Sequence, residues 1–408
     1  MAASRLLLAS LFILTVRAST FTKFDRSFVV TSIDVMKGQE ETITTDAGQY
    51  FAYATFSSGG PVNEEFLKKV TIVDDDTPDG EDGTSIFKLH SMVPQTNNQG
   101  GLGRITLNAK NGRKGIRIRN SNPGSPVTPT QMWVVYIVEV SVNKCPVYDT
   151  NGVINKLLST EGKDCPNQAT ILNAGEGFSL NQFAVKADAS WDIYTTPADV
   201  QKDENKVLYI PNYADAHSSF THIAGPIATV VARHNAGTNV PMQFYLTTIR
   251  NYDRTVGENA VFSVSSPGYV SPNQDYSYAW LDAVVPTAQK FTMSGTAPLH
   301  IRVRGWTDKN DNDQMIKVTV GSTTQSFQGD AIDKSLDSAV GTVKIGVEKE
   351  NQRTPRYVVQ VEQSSSNPQR PTSSPASPRP GDTSTQAASI FYSCILNAIL
   401  FFGLALRM

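Results

Sequence analysis

Trp133-Val134-Val135-Tyr136-Ile137-Val138-Glu139-Val140 follows Gly115-Ile116-Arg117-Ile118-Arg119-Asn120 in this chain. β-branched and aromatic residues dominate the first, Ile116 and Ile118 alternate with Arg117 and Arg119 in the second, and neither carries a helical apolar repeat, so both read as strands. The pair then recurs. Ala228-Thr229-Val230-Val231-Ala232-Arg233-His234-Asn235 precedes Met242-Gln243-Phe244-Tyr245-Leu246-Thr247-Thr248-Ile249, and Val343-Lys344-Ile345-Gly346-Val347-Glu348-Lys349 precedes Tyr357-Val358-Val359-Gln360-Val361-Glu362. The final strands close near residues 140, 249 and 361, a period of about 110 residues. One such pair occurs in any β protein. Three at even spacing predict three successive units.

The remainder of each unit also reads as strand. Residues alternate in His300-Ile301-Arg302-Val303-Arg304 and in Ile316-Lys317-Val318-Thr319-Val320, and Val70-Thr71-Ile72-Val73 is β-branched. Links are short and long amphipathic helices are nearly absent, which predicts an all-β chain of tandem antiparallel β-sandwich domains. Their expected spans are 19–142, 143–255 and 256–363. A short helix is expected at Val153 to Leu158.

Both ends are apolar. Arg5, the run from Leu6 to Leu14, and the small residue Ala18 have the basic start, apolar stretch and cleavage point of a signal peptide, predicted over 1–18. Ile390 to Leu406 is almost wholly apolar and ends at Arg407-Met408. Gly381-Asp382-Thr383 offers short residues ahead of a polar or small spacer, Ser384 to Ser389, so 382–408 reads as a lipid-anchor signal with Gly381 as the attachment residue. Asp382 and Ser384 are alternative sites. A single-pass helix is the rival reading, although it lacks a basic cytoplasmic flank. Pro368 to Pro380 is dense in Ser, Thr and Pro, which predicts a stalk over 364–381.

A formal net charge of −2 argues against a nucleic-acid partner. Of three cysteines, Cys394 lies in the tail, leaving Cys145 and Cys165 to form one disulfide in an oxidising compartment. Closing that loop would contribute about 3 kcal/mol in the chain-entropy model.

The third unit carries a family resemblance. Ser266-Pro267-Gly268-Tyr269 leads to Tyr278-Ala279-Trp280 and Val284-Val285-Pro286, followed by Asp313-Gln314-Met315-Ile316-Lys317-Val318-Thr319-Val320-Gly321 and the aromatic final strand at Tyr357. This resembles the CUB-like domains of nematode surface proteins over residues 262–363, and the resemblance extends weakly to the second unit, through Cys165 and Trp191-Asp192-Ile193-Tyr194, and more weakly still to the first. The resemblance implies adhesion or recognition, and in nematode relatives a response to microbes at an epithelial surface. The paired cysteines of ordinary CUB domains are missing from the third unit. Some CUB domains hold calcium through an aspartate at the position of Asp313, but no helix-loop-helix calcium pattern is present, because its sixth position would be Asp313 and its twelfth Thr319.

No motif points to catalysis, a cofactor or a resident metal. The acidic run Asp74-Asp75-Asp76-Thr77-Pro78-Asp79-Gly80-Glu81-Asp82-Gly83 reads as a solvated loop. His217 and His222, near Asp215, are five residues apart, which fits no zinc pattern and reads as a surface loop. His90, His234 and His300 stand alone in sequence. Gly100-Gly101-Leu102-Gly103 reads as a turn, and no nucleophile elbow appears. Core packing is the expected role of most of Trp133, Trp191, Trp280 and Trp306. The expectation is a non-enzymatic, GPI-anchored surface protein that binds an extracellular protein or carbohydrate. The alternative is a surface hydrolase or metal-dependent enzyme, which a cleft holding His with Asp or Glu would favour.

Overall fold

A computed structural model describes residues 22–32, 34–35, 37–57, 64–92, 101–124, 131–142, 145–151, 155–159, 167–175, 177–184, 189–197, 199–234, 243–248, 253–266, 269, 288–293, 297–307, 315–338, 342–348 and 355–363. The expected signal peptide, stalk and anchor segment lie outside these residues, as do Gly381, Cys165, Trp280 and Asp313.

The first sandwich pairs two sheets. One runs, in spatial order, β1 (Thr22–Lys23), β2 (Ser27–Thr31), β9 (Trp133–Glu139), β4 (Gly48–Phe56) and β7 (Ile105–Ala109). The other runs β3 (Gln39–Ile43), β8 (Ile116–Asn120), β5 (Val70–Val73) and β6 (Thr84–Ser85). Two one-turn helices, α1 (Glu64–Lys68) and α2 (Ile86–His90), add Phe66, Leu67, Ile86 and Leu89 to its core.

The second sandwich places β10 (Val147–Asp149), β12 (Gln168–Leu172), β17 (Ile227–His234), β14 (Ala189–Tyr194) and β15 (Lys206–Ile210) against β11 (Asn155–Ser159), β18 (Gln243–Thr248), β13 (Phe178–Asn181) and β16 (Phe220–Ile223). That last sheet does not stop at β16. It continues through β20 (Val261–Ser265), β27 (Arg356–Gln363), β22 (Leu299–Trp306) and β25 (Ile332–Ser338), which belong to the third sandwich. Their opposing sheet is β19 (Asp253–Val256), β21 (Ala288–Met293), β26 (Thr342–Glu348), β23 (Met315–Val320) and β24 (Thr323–Phe327).

The three sandwiches share one strand order. Counted from β2, β11 and β20, one sheet of each runs first-eighth-third-sixth and the other second-seventh-fourth-fifth. This is the eight-stranded jelly roll of two interlocked Greek keys. The strand pairs that repeat in the sequence are its seventh and eighth strands, which lie between partners in opposite sheets. β1, β10 and β19 are lead-in strands, the last two parallel to β12 and β21.

The sandwiches are fused, not strung as beads. β16 and β20 pair in parallel, joining two sheet edges that would otherwise expose unpaired backbone groups. Faces then alternate across the seam. Val261 and Val358 enter the second core, whereas Phe262, Val359 and Val361 enter the third together with Phe220 from β16. The second sandwich's outer sheet therefore covers one side of the eight-stranded sheet, and the third's covers the opposite side. A separate apolar cluster joins the first two sandwiches. Val29, Tyr53, Val134, Tyr136 and Val138 pack on Val147, Leu172 and Ile227. Asp199 reinforces it by accepting from Ser27 Oγ and Arg26 N, each at 2.8 Å.

Two expectations change. Residues 155–159 form β11, not a helix, because the segment docks as an edge strand along β18 from Asn155↔Thr247 to Ser159↔Gln243. The boundary expected between 255 and 256 falls within β19, whose residues all pair in the third sandwich through β21.

Candidate functional site

The layer exchange leaves a step. The outward face of β27, β22 and β25 forms its floor, and the edge strand β15 with its flanking turns rises beside it. Alternation on β22 dictates the floor. Leu299, Ile301 and Val303 enter the core, so His300, Arg302, Arg304 and Trp306 must point the other way. On β25, Asp333, Ser335 and Asp337 stand opposite Arg304, Arg302 and His300, and on β27 Gln360 and Glu362 stand opposite Arg302 and His300.

These side chains bond to one another. Arg302 donates to both Asp333 oxygens in a fork, at 2.9 and 2.7 Å. That bond to Asp333 holds the guanidinium above its ordinary value, against a smaller opposing effect of burial. His300 Nδ1 lies 2.7 Å from Asp337 Oδ1. Glu362 accepts from the Tyr213 hydroxyl at 2.9 Å. Burial first, and then the Glu362 carboxylate, push the Tyr213 phenol well above its usual range.

Arg304 fastens floor to wall. Its guanidinium donates to the carbonyls of Asp203 and Glu204, at 3.2 and 3.3 Å, and to that of Lys206. Tyr269 Oη donates to Glu204 O at 3.4 Å. Burial lowers the Arg304 guanidinium, as expected for a cation whose partners are neutral carbonyls.

The wall carries Tyr209 and Tyr213, the two large apolar side chains that stand exposed among the described residues, at 39% and 50%. Lys206 lies between the rings of Tyr194 and Tyr209, 5.8 and 5.4 Å from their centroids. Behind it, the buried Asp192 carboxylate is 2.9 Å from Lys206 Nζ and accepts from Arg233 Nε. Burial alone would lower the Lys206 ammonium, but Asp192 and Asp203 hold it above its ordinary value. The wall is thus a fixed cation under an aromatic surface.

Other residues singled out in the sequence lie elsewhere. The acidic run is not simply solvated. Asp74 accepts from the backbone N–H groups of Asp76, Thr77 and Asn108, Asp75 from those of Lys110 and Gly115, and Asp76 from Lys110 and Asn108 side chains. These bonds tie the loop to β7 and the turn before β8. Asp74, Asp76, Glu81 and Asp82 also line an open groove of about 570 Å3 with Ile72, Lys88 and Arg104.

His217 lies on an exposed turn capped by Asp215, but His222 does not. It is buried on β16 at 5.1 Å from the Phe220 ring centroid, because β16 is interior to the fused sheet. His90 Nε2 meets Asp149 Oδ2 at 2.9 Å between the first and second sandwiches. His234 ends β17. Trp133 and Trp191 are core residues. Cys145 is disulfide-bonded, and Cys165, its expected partner, lies outside the described residues.

Among the described residues, no group of three or more His, Cys, Asp or Glu is arranged to hold a metal ion. No described helix is long and apolar enough to cross a membrane. Sequence reasoning missed the step because its residues come from five separated segments. The one legible signal was the alternation of His300, Arg302 and Arg304, which marks a polar sheet face.

No family model matches this chain, and no curated protein sequence does. Among solved structures, it is similar to the cycloalternan-forming enzyme from Listeria monocytogenes in complex with a pentasaccharide substrate, at 10% identity and a TM-score of 0.18, covering 84% of this chain and 31% of that one. The same values describe its similarity to an uncharacterised protein of that bacterium bound to α-D-glucose, β-D-glucose, magnesium and calcium. The chain thus spans under a third of either protein, and likeness at this level says nothing of activity or ligand.

Proposed function

We propose that this protein is a non-enzymatic recognition or adhesion protein of the cell surface, held in the outer leaflet by a GPI anchor at Gly381, with a role in innate immune response at an epithelial surface. The carrying observation is the step, whose ion pairs and exposed tyrosines suit contact with a ligand and whose strands belong to one fused body. Fusion through β16 and β20 supports this reading, because it holds wall and floor in one geometry before any ligand arrives.

Treatment of intact cells with a phosphatidylinositol-specific phospholipase tests the anchor. Release into the medium is expected, with abolition by a bulky substitution at Gly381. Release by detergent alone would replace the lipid anchor with a single-pass segment.

A further inference from the structure

We infer that the step between β15 and the outward face of β27, β22 and β25 is a binding site for an uncharged oligosaccharide. The inference rests on the recognition reading and names its ligand class.

Charge comes first. Arg302 is forked onto Asp333, His300 is hydrogen-bonded to Asp337, and Lys206 sits against Asp192 and Asp203. A charged ligand drawn to Arg302 or Lys206 would have to displace one of these partners, and the Arg304 guanidinium is already taken up by the Asp203, Glu204 and Lys206 carbonyls. A sugar hydroxyl need not, since it donates and accepts at once and can bond to the remaining lone pairs and N–H groups of pairs already made. The Arg302–Asp333 fork also presents a planar array held in place before binding.

Shape comes second. The wall presents the exposed rings of Tyr209, with Lys206 5.4 Å from its centroid, and of Tyr213, whose hydroxyl bonds to Glu362. The C–H faces of a pyranose ring stack on such aromatic surfaces, while its equatorial hydroxyls reach the polar floor. Tyr213 is held by its bond to Glu362, so little side-chain freedom is lost on binding. From His300 to Trp306, outward side chains recur every second residue, a run of about 20 Å at about 3.3 Å per residue. That length suits an oligosaccharide better than a single sugar.

The test applies the full chain, purified in detergent, to an array of neutral oligosaccharides printed beside sialylated and sulfated ones. Binding to neutral glycans is expected, little changed between about 50 and 500 mM salt. Tyr209→Ala and Tyr213→Ala should each weaken it about tenfold or more, the loss typical of an aromatic anchor. Tyr213→Phe, which keeps the ring but not its bond to Glu362, should weaken it less than Tyr213→Ala does. Each variant's thermal midpoint shows whether it is folded, and Arg302→Gln serves as a second floor variant where an alanine substitution unfolds the chain. Binding confined to sulfated or sialylated glycans and abolished by salt would overturn the inference, as would tyrosine variants that are folded and bind unchanged. If phospholipase frees the protein from cells yet no glycan binds, the glycan site falls alone. If neutral glycans bind and phospholipase frees nothing, the site stands and the anchor falls.

Discussion

Phe220 and Phe262 stack with ring centroids 5.1 Å apart and planes 8° from parallel, directly across the register pair that joins the second and third sandwiches. Phe291 packs 4.7 Å from Phe262, and the Arg254 guanidinium lies 4.0 Å from the Phe220 centroid. Beside them, the Thr221 and Ser263 hydroxyls bond at 2.7 Å. One parallel strand pair therefore carries an aromatic cluster on one side and a polar clasp on the other.

Truncating this stack should uncouple the two sandwiches. Phe262→Ala removes a fully buried ring, a change that costs about 3–5 kcal/mol. Because the ring sits at the seam, a single cooperative calorimetric transition in the parent chain should split into two in the variant. A variant that keeps one transition with an unmoved midpoint would show that the seam contributes nothing.

Strand repetition was legible in the sequence because the seventh and eighth strands are interior to their sheets and each turns at least one apolar face to a core. The quality of each run held more than was read from it. On β9, Trp133 to Val138 are all fully buried, since one face meets the first core and the other meets the second sandwich. An unbroken apolar run is the mark of a strand covered on both faces. On β22, alternate exposure marks a strand covered on one face only. That contrast foretells both the first interface and the polar floor. The seam itself leaves no such mark, because the pairing of two edges is fixed by the placement of whole sandwiches. His222 shows the cost, since a short polar-flanked segment reads as loop until its neighbours on both sides are known.

Stability should fall between acid and neutral pH at Asp34. This carboxyl is buried beyond β2, accepts from Thr31 N and Oγ1 at 2.6 and 2.9 Å, and is raised by desolvation to about 7. A raised folded value means the native chain holds the proton more tightly than the unfolded chain. Its contribution is therefore complete below pH ~4 and is lost as pH climbs through about 7. At about 1.4 kcal/mol per pH unit, the loss reaches at most about 4 kcal/mol. Asp34→Asn, which keeps the acceptor, should be closer to the parent at pH 4 than at pH 7.5, where it should be the more stable in urea unfolding. Equal differences at both pH values would place the proton elsewhere.

Asp192 and its partners should respond unequally to substitution. The carboxylate side chain is 2% exposed, whereas Arg233 is 52% exposed and Lys206 is 21% exposed. Asp192→Ala leaves Lys206 without its buried counter-charge, and breaking a buried pair costs about 3–5 kcal/mol. Arg233→Ala should cost only about 1 kcal/mol, because its head group regains water and Lys206 still neutralises Asp192. Chemical denaturation of both variants measures the two values, and a larger loss for Arg233→Ala would reverse the assignment of Lys206 as the principal partner.

Alanine should act on two glycines of the third sandwich by different routes and to different degrees. At Gly321, φ is +60° and nothing lies within 4 Å of an added Cβ, so Gly321→Ala meets only the left-handed backbone cost of about 1–2 kcal/mol. At Gly305, an added Cβ would fall 2.3 Å from Arg356 O and 2.9 Å from Tyr357 Cα. Backbone atoms cannot rotate away, so β22 must separate from β27 where Gly305 faces Tyr357. Overpacking of this kind costs about 1–3 kcal/mol or more, and the ladder bonds lost beside it add to that. The damage should also spread to function, because Arg304 and Trp306 flank the displaced residue and Arg304 holds the β15 turn against the floor. Gly305→Ala should therefore lower the thermal midpoint more than Gly321→Ala and speed amide exchange along β22 and β27. Equal midpoints with unchanged exchange would mean that the close approach of these two strands is not required.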